Sequence, residues 1–224
     1  MGRIIAISDI HGHLHTFKAL IMEQLALTKD DQLFLLGDYI DRGPASKEVL
    51  DFIMYLQENG YQVNCLLGNH EQMMIESYQG SRVEYSNWLW NGGEDTMRSF
   101  RVKNLEEIPD KYWQFLDSLP CFIETEEYIF VHAGINFRSP EPFEDFESML
   151  WIRKWYQNIN PELLNGKMIV HGHTPIEKGN IIAKLDNVPK PFAVNIDSGC
   201  YFYGDLCAID LTSRTLYFQK NIDI

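Results

Sequence analysis

Gly37-Asp38-Tyr39-Ile40-Asp41-Arg42-Gly43 follows the apolar run 33–36 and precedes a helix-like segment that begins near Ala45. Two carboxylates and an arginine are thus packed between glycines at the end of a buried strand, where glycine lets the backbone turn sharply and leaves room for a ligand. Carboxylates this close repel unless positive charge stands between them, and one arginine is a weak counterweight for both. Taken alone, the stretch reads as an Asp-rich turn with Arg42 in a surface ion pair. With a metal ion it reads as a ligating carboxylate beside a phosphate-binding arginine. The other strand ends decide between the two.

Upstream, Arg3-Ile4-Ile5-Ala6-Ile7-Ser8 is a short β-branched run that reads as a buried strand and ends in Asp9-Ile10-His11-Gly12-His13. Leu14, Phe17, Leu20, Ile21 and Leu25 then recur at helical spacing. Downstream, Val49, Leu50, Ile53 and Met54 mark a second amphipathic helix that stops at Asn59-Gly60. A third strand, 61–67, delivers Gly68-Asn69-His70-Glu71. Strand, helix, strand, helix, strand is the α/β pattern of a parallel sheet. From about 71 to 119 the chain reads as mostly helical, interrupted at Asn91-Gly92-Gly93, and as a segment covering one end of the sheet. Further strands are expected at 121–125, 128–131, 168–170, 181–185, 192–196, 206–209 and 215–218, with a helix around 146–156 carrying Arg153. With no repeat, low-complexity tract or linker, residues 1–224 read as one α/β domain, two β-sheets face to face with helices outside.

Hydrophobic residues at 45% and charged residues at 23% describe an ordinary globular chain. No apolar run approaches the roughly 20 residues that span a bilayer, and the amino terminus enters a strand without a signal-peptide pattern. Cys65, Cys121, Cys200 and Cys207 lack paired zinc spacing and read as buried free thiols, which points to the cytoplasm. A net charge of −13 argues against nucleic acid or an anionic membrane as partner. It also means that an anionic substrate needs concentrated local positive charge, which bound divalent ions would supply.

Five apolar runs end in potential ligands beside glycine: Asp9/His11, Asp38/Asp41/Arg42, Asn69/His70, His132, and His171/His173. In open α/β sheets the carboxyl ends of strands form the ligand crevice. Asp9 and His11 alternate on extended chain and can grip one ion. Asp, His and Asn donors without cysteine suit manganese, iron or zinc. Six ligands are too many for one small ion that keeps a position open, so a pair of ions sharing a carboxylate is expected, with Asp38 best placed to bridge. His171 and His173 would face the same way, and composition does not choose between them.

The motifs Asp9-x-His11-Gly, Gly37-Asp38-x-x-Asp41-Arg42-Gly43, Gly68-Asn69-His70-Glu71, His132-Ala133-Gly134 and Gly172-His173-Thr174-Pro175 resemble those of the calcineurin-like metallophosphoesterases. Asp-Arg-Gly and Asn-His-Glu resemble the PPP-type serine/threonine protein phosphatases, and 68–75 with 88–93 resembles their bacterial and phage branch, which includes phage lambda phosphatase. The resemblance implies a four-layer α-β-β-α sandwich and two divalent cations, manganese first, with iron or zinc as alternatives. It places Asp9, His11 and Asp38 on one ion and Asp38, Asn69, His132 and His173 on the other. Arg42 and Arg153, with Asn69 near them, would grip the phosphoryl oxygens. His70 would be the general acid, oriented by Asp41, and a hydroxide bridging the ions would attack in line. His171 has no implied role; His13 and His15 read as loop and helix-surface residues, and Cys200 as packing.

Asn-His-Glu and the Asn-Gly-Gly segment favour a serine/threonine protein phosphatase acting on a phosphorylated protein or a small phosphoester. The alternative is a bis(5'-nucleosyl)-tetraphosphatase. An inactive phospho-binding scaffold is a third reading, and the intact ligand set with His70 speaks against it. The oligomeric state is left open.

Overall fold

Side chains that alternate at period two along short strands sort the apolar residues into layers. In the computed structural model, which describes residues 2–187 and 191–223, strands β1 (Ile4–Ile7), β2 (Gln32–Leu35) and β3 (Gln62–Cys65) pair in parallel, with Ile5 opposite Leu33 and Leu33 opposite Val63. A second sheet is built from β4 (Phe122–Glu124), β5 (Tyr128–Val131), β6 (Met168–His171) and β7 (Ala193–Asn195), in that order, with β5, β6 and β7 parallel and β4 antiparallel. The antiparallel pair β8 (Asp205–Asp210) and β9 (Thr215–Lys220) extends the first sheet, whose order is β3-β2-β1-β8-β9.

The alternation is strict. Ile5, Ile7, Leu33 and Leu35 join an outer core, while Ala6, Phe34 and Leu36 face inward onto Phe130, Val170 and Val194 of the second sheet. Ile129, Val131 and Ile169 point the other way, into a third cluster. Phe34 and Phe130 stack across the sandwich, centroids 3.9 Å apart and 8° from parallel.

Helices close both outer faces. On the first sheet lie α1 (Leu14–Ala19, continued by a π-helical turn Leu20–Gln24), α2 (Ser46–Glu58), α3 (Asn69–Gln79), α4 (Arg82–Trp88), α5 (Glu94–Phe100) and α6 (Asp110–Asp117). On the second lie α7 (Phe146–Trp151) and α8 (Pro161–Leu164), which contribute Met149 and Leu164. The result is the expected α-β-β-α order. No helix among the described residues is long and apolar enough to cross a membrane.

Two local expectations change. Residues 181–185 belong to a helix, α9 (Lys178–Asn187), because Ile181 and Leu185, four apart, are both buried while Ile182 between them is exposed. A short apolar run fits either period, and tertiary packing chose the helical one. The helix at 146–156 stops at Trp151 and Arg153 sits in the loop beyond, because Trp155 docks over Gly134 and donates its indole N–H to Ala133 O at 3.1 Å. The helical segment 71–119 joins the outer core through Met73, Met74, Met97, Phe100 and Tyr112, and its Trp88, Gly92 and Thr96 reach Asp41 and Arg42 beyond the carboxyl end of β2.

The Phe34–Phe130 stack holds the two sheets together, so Phe130→Ala should cost about 3–5 kcal/mol through lost burial and an unfilled cavity. Urea unfolding should show a lower midpoint at unchanged slope; a loss below about 1 kcal/mol would mean that the inter-sheet layer tolerates the void.

Candidate metal centre and phosphate cavity

Because β1, β2 and β3 run parallel, their carboxyl ends deliver Asp9/His11, Asp38 and Asn69/His70 to one edge, and β5 and β6 bring His132 and His173 to the same edge from the opposite sheet. The turn after β2 is held by Glu71, which is fully buried. Its Oε2 accepts N–H bonds from Asp38 (2.8 Å) and Gly68 (3.1 Å), and its Oε1 accepts from Tyr39 (2.8 Å) and Ile40 (3.3 Å). Burial, then the neighbouring Asp38 carboxylate, push the Glu71 carboxyl above its ordinary range, but His70 and the four N–H donors, which leave neither oxygen free to take a proton, favour the carboxylate. In return the first turn of α3 holds Asp38, whose Oδ1 accepts the His70 N–H at 3.0 Å. A side chain at Gly68 would not fit, since a Cβ there would lie 2.3 Å from both Asp38 N and Oδ1.

His11, Asp38, Asp41, Arg42 and His173 all have φ between 47° and 69°. Non-glycine residues seldom take the left-handed region, and such strain gathers at functional sites.

The hydrogen bonds fix the histidine tautomers. His11 Nδ1 lies 3.0 Å from Ile40 O and His132 Nδ1 lies 2.8 Å from Leu36 O. A carbonyl can only accept, so both Nδ1 atoms carry the hydrogen and both Nε2 atoms offer lone pairs to the site, as in metal-ligating histidines. His132 Nε2 meets Asn69 Oδ1 at 2.9 Å and Asp38 Oδ1 at 3.5 Å, while His173 Nδ1 meets the same Asn69 Oδ1 at 2.8 Å. His173 Nε2 is buried with no hydrogen-bond partner among the described residues. Electron-rich atoms converging without enough hydrogens to share are what a cation relieves. Among the described residues two groups have donor atoms close enough to hold an ion: His11, Asp38 and His70, and Asp38, His132 and His173. Asp38 belongs to both.

Electrostatics agree. Burial opposes ionisation of Asp38, and positive charge within the ring of His132, His70, His11 and His173 outweighs it and lowers its carboxyl below the usual range; of the four only His70 favours the cation. Asp9 is pushed well above that range by burial and by the Asp197 and Asp38 carboxylates. Burial lowers His11 and His132, and holds His173 down at about 2, which keeps these imidazoles neutral and able to ligate.

Asp41 turns away from this centre. Its Oδ2 accepts from His70 Nδ1 (2.7 Å) and Trp88 Nε1 (3.0 Å), and its Oδ1 accepts from the Thr96 hydroxyl (2.6 Å). His70 Nε2 is therefore turned toward Asp38, 4.0 Å away. Burial disfavours the His70 cation, yet Asp38 and then Asp41 outweigh it and raise His70 above its ordinary value. Gly93 packs against the Trp88 ring, where a Cβ would come within 2.5 Å, and Gly92 against Arg42.

A cavity of about 330 Å³ opens over the centre, lined by Asp38, Asn69, His70, His173, Arg42 and Arg153 among others. The Arg42 guanidinium donates to His11 Nε2 at 2.9 Å and lies over the Tyr201 ring. Arg153 donates to Thr174 Oγ1 at 3.2 Å.

Asp9, His11, Asp38, Asp41, Arg42, Asn69, His70, His132, Arg153 and His173 meet at this edge. Asp9 stands just outside the two tight groups, its Oδ1 accepting the His173 N–H at 3.2 Å. His171 points elsewhere, its Nε2 paired with Tyr156 Oη. His13 is in the loop before α1, as expected, and is buried, its Nδ1 on Ile10 O. Cys200 is a buried free thiol within the core of the first sheet.

Sequence reasoning missed Asp197. It is buried beside Asp9, its Oδ1 accepts the Gly199 N–H at 2.8 Å, and its Oδ2 has no partner among the described residues. The strand-end rule that picked out Asp9, Asp38, Asn69, His132 and His173 would have picked it out too, since Asp197-Ser198-Gly199 follows β7. The roles of Trp88 and Thr96 behind Asp41 had no sequence signal.

The sequence profile described as calcineurin-like phosphoesterase matches residues 2–208. The asymmetrical bis(5'-nucleosyl)-tetraphosphatase PrpE of Geobacillus thermodenitrificans is 26% identical over 93% of this chain and 90% of its own. The Shewanella-like protein phosphatase 1 of Plasmodium berghei is 26% identical over 60% of this chain and 40% of its own. A protein serine/threonine phosphatase from Saccharomyces cerevisiae shares the fold, with a TM-score of 0.64, 14% identity, and coverage of 99% of this chain and 80% of that one.

Glu71→Gln would turn an amide –NH₂ toward backbone N–H groups that need acceptors. We expect a loss of about 1–3 kcal/mol in stability and weaker manganese binding, since Asp38 rides on the same turn. Denaturant unfolding and manganese titration of the variant test this, and wild-type values in both would show that the Glu71 bonds do not set the turn.

Proposed function

The chain belongs to the calcineurin-like phosphoesterase family, and we propose that within it the protein hydrolyses dinucleoside polyphosphates. The extent of similarity carries this reading: the Geobacillus tetraphosphatase matches over nine-tenths of both chains, whereas the Plasmodium protein phosphatase matches over 60% of this chain and 40% of its own. The features that favoured a protein phosphatase from sequence have structural work that is blind to substrate. Glu71 of Asn-His-Glu holds the 38–40 turn, and Gly92 and Gly93 seat Arg42 and Trp88.

In this reading Asp9, His11 and Asp38 hold one divalent cation and Asp38, Asn69, His132 and His173 the other, manganese first among the ions that suit such donors. When bound, the pair would activate water near neutral pH and offset the charge of the phosphoryl group. Arg42 and Arg153 line the cavity and orient the phosphoryl oxygens. His70 presents Nε2 to the departing oxygen, with Asp41 fixing the ring through Nδ1–H, so that a basic leaving group takes a proton there as the P–O bond breaks while a nucleoside polyphosphate departs with a hydrogen bond from the same N–H.

A turnover panel with manganese decides the substrate: diadenosine tetraphosphate against phosphoserine, phosphothreonine and phosphotyrosine peptides. The dinucleotide should have the highest kcat/KM, and preference for a phosphopeptide would restore the protein phosphatase reading. His70→Asn separates acid catalysis from binding on the same panel. A serine alkoxide leaves as a strong base and needs its proton, whereas a nucleoside polyphosphate leaves as a stabilised anion. The variant should therefore lose about 10²–10⁴-fold on the phosphoserine peptide and markedly less on the dinucleotide, in kcat as well as kcat/KM. Equal losses would assign His70 to substrate or water positioning.

A further inference from the structure

A second cavity, also about 330 Å³, lies directly beside the one over the metal centre, and Arg153 and Thr174 line both. This is the size range of small-molecule sites. We infer that it receives the nucleoside and outer phosphates on one side of the bond that is cut, an inference that rests on the dinucleotide reading above.

The first argument is charge. A phosphomonoester is matched by the cations of the catalytic cavity, but a dinucleoside polyphosphate carries further anionic groups along its length. The chain bears a net charge of −13, so cations along such a path need a reason. Arg42 lines the catalytic cavity, Arg153 stands at the border with its guanidinium steadied by Thr174 Oγ1, and Lys184 on α9 lines the second cavity. The three mark a cationic track leading away from the centre.

The second argument is the aromatic wall. Tyr156 is 39% exposed and lines the cavity, and it stacks on Trp155 with centroids 4.7 Å apart and planes 12° from parallel. Trp155 is itself locked by its bond to Ala133 O. His171 holds Tyr156 Oη: its Nδ1 lies 3.1 Å from Gly172 O and so carries the hydrogen, which leaves Nε2 to accept from the phenol. The ring is thus fixed before any ligand arrives, and a fixed aromatic face stacks a nucleobase at little entropic cost. Asn180, exposed on α9, adds an amide that can donate to and accept from a base edge. His171, unused by the metal centre, thereby has a positioning role.

The test uses Lys184→Ala and Asn180→Ala in the full chain loaded with manganese. Both residues are exposed and outside the catalytic machinery, so manganese affinity and turnover of nitrophenyl phosphate should stay at wild-type levels. KM for diadenosine tetraphosphate should rise about tenfold for Lys184→Ala, the loss of one charge-assisted contact, and by less for Asn180→Ala. ATP, which carries the same nucleoside and phosphates, should bind Lys184→Ala correspondingly more weakly in calorimetric titration. If wild type hydrolyses the dinucleotide and both variants match it in KM and ATP affinity, the cavity assignment falls and the dinucleotide reading stands. If wild type fails to hydrolyse it yet binds ATP through Lys184, the reading falls and the cavity remains a nucleotide site. Neither hydrolysis nor ATP binding in wild type would overturn both.

Discussion

The buried carboxylate of Glu71 governs the site. Four backbone N–H groups from two separate loops, 38–40 and Gly68, converge on its two oxygens. A charge taken fully out of water is tolerated only when such bonds replace its hydration. The loop after β2 and the start of α3 are thereby one rigid piece, and Asp38 and His70 are fixed relative to each other before any ligand is present. The left-handed backbone at Asp38, Asp41 and Arg42 is held in place by this and by the Thr96 and Ser46 hydroxyls that accept the Asp41 N–H.

Opposite charge requirements are met a few ångströms apart. On one side of Asp38 burial keeps the imidazoles neutral, and His11 and His132 donate their Nδ1 hydrogens to backbone carbonyls, as the proposed ligation requires. On the other side Asp41 and Asp38 favour the charged form of His70, as proton donation requires. Trp88 and Thr96, from the helices over the first sheet, complete the shell of Asp41. Those helices therefore support the chemistry as well as cover the core.

Much of this was legible in the sequence for one reason: parallel strands leave their functional side chains at the carboxyl end, next to the glycines that permit tight turns. Asp9, Asp38, Asn69, His132 and His173 were all found that way. Asp197 obeys the same rule, but nothing local in Asp197-Ser198-Gly199 announces that its carboxylate will lie beside Asp9. Residues 181–185 were misread because five apolar-rich residues cannot distinguish period two from period 3.6. Arg153 was placed on a helix because nothing local announces that Trp155 must reach Gly134. The choice of substrate was least legible, since the residues that separated the candidate branches turned out to serve the backbone.

The proposed ligands come from both sheets: Asp9, His11, Asp38 and Asn69 from the first, His132 and His173 from the second. A cation held between them would cross-link the halves of the sandwich. Binding to the folded form alone contributes RT ln(1 + [L]/Kd), about 2.7 kcal/mol at a hundredfold excess over Kd. Metal supply then sets how much damage to the inter-sheet layer the fold can absorb. A chain replete with metal would carry core substitutions that unfold it when starved, so the proposed centre would also act as a reserve of mutational tolerance.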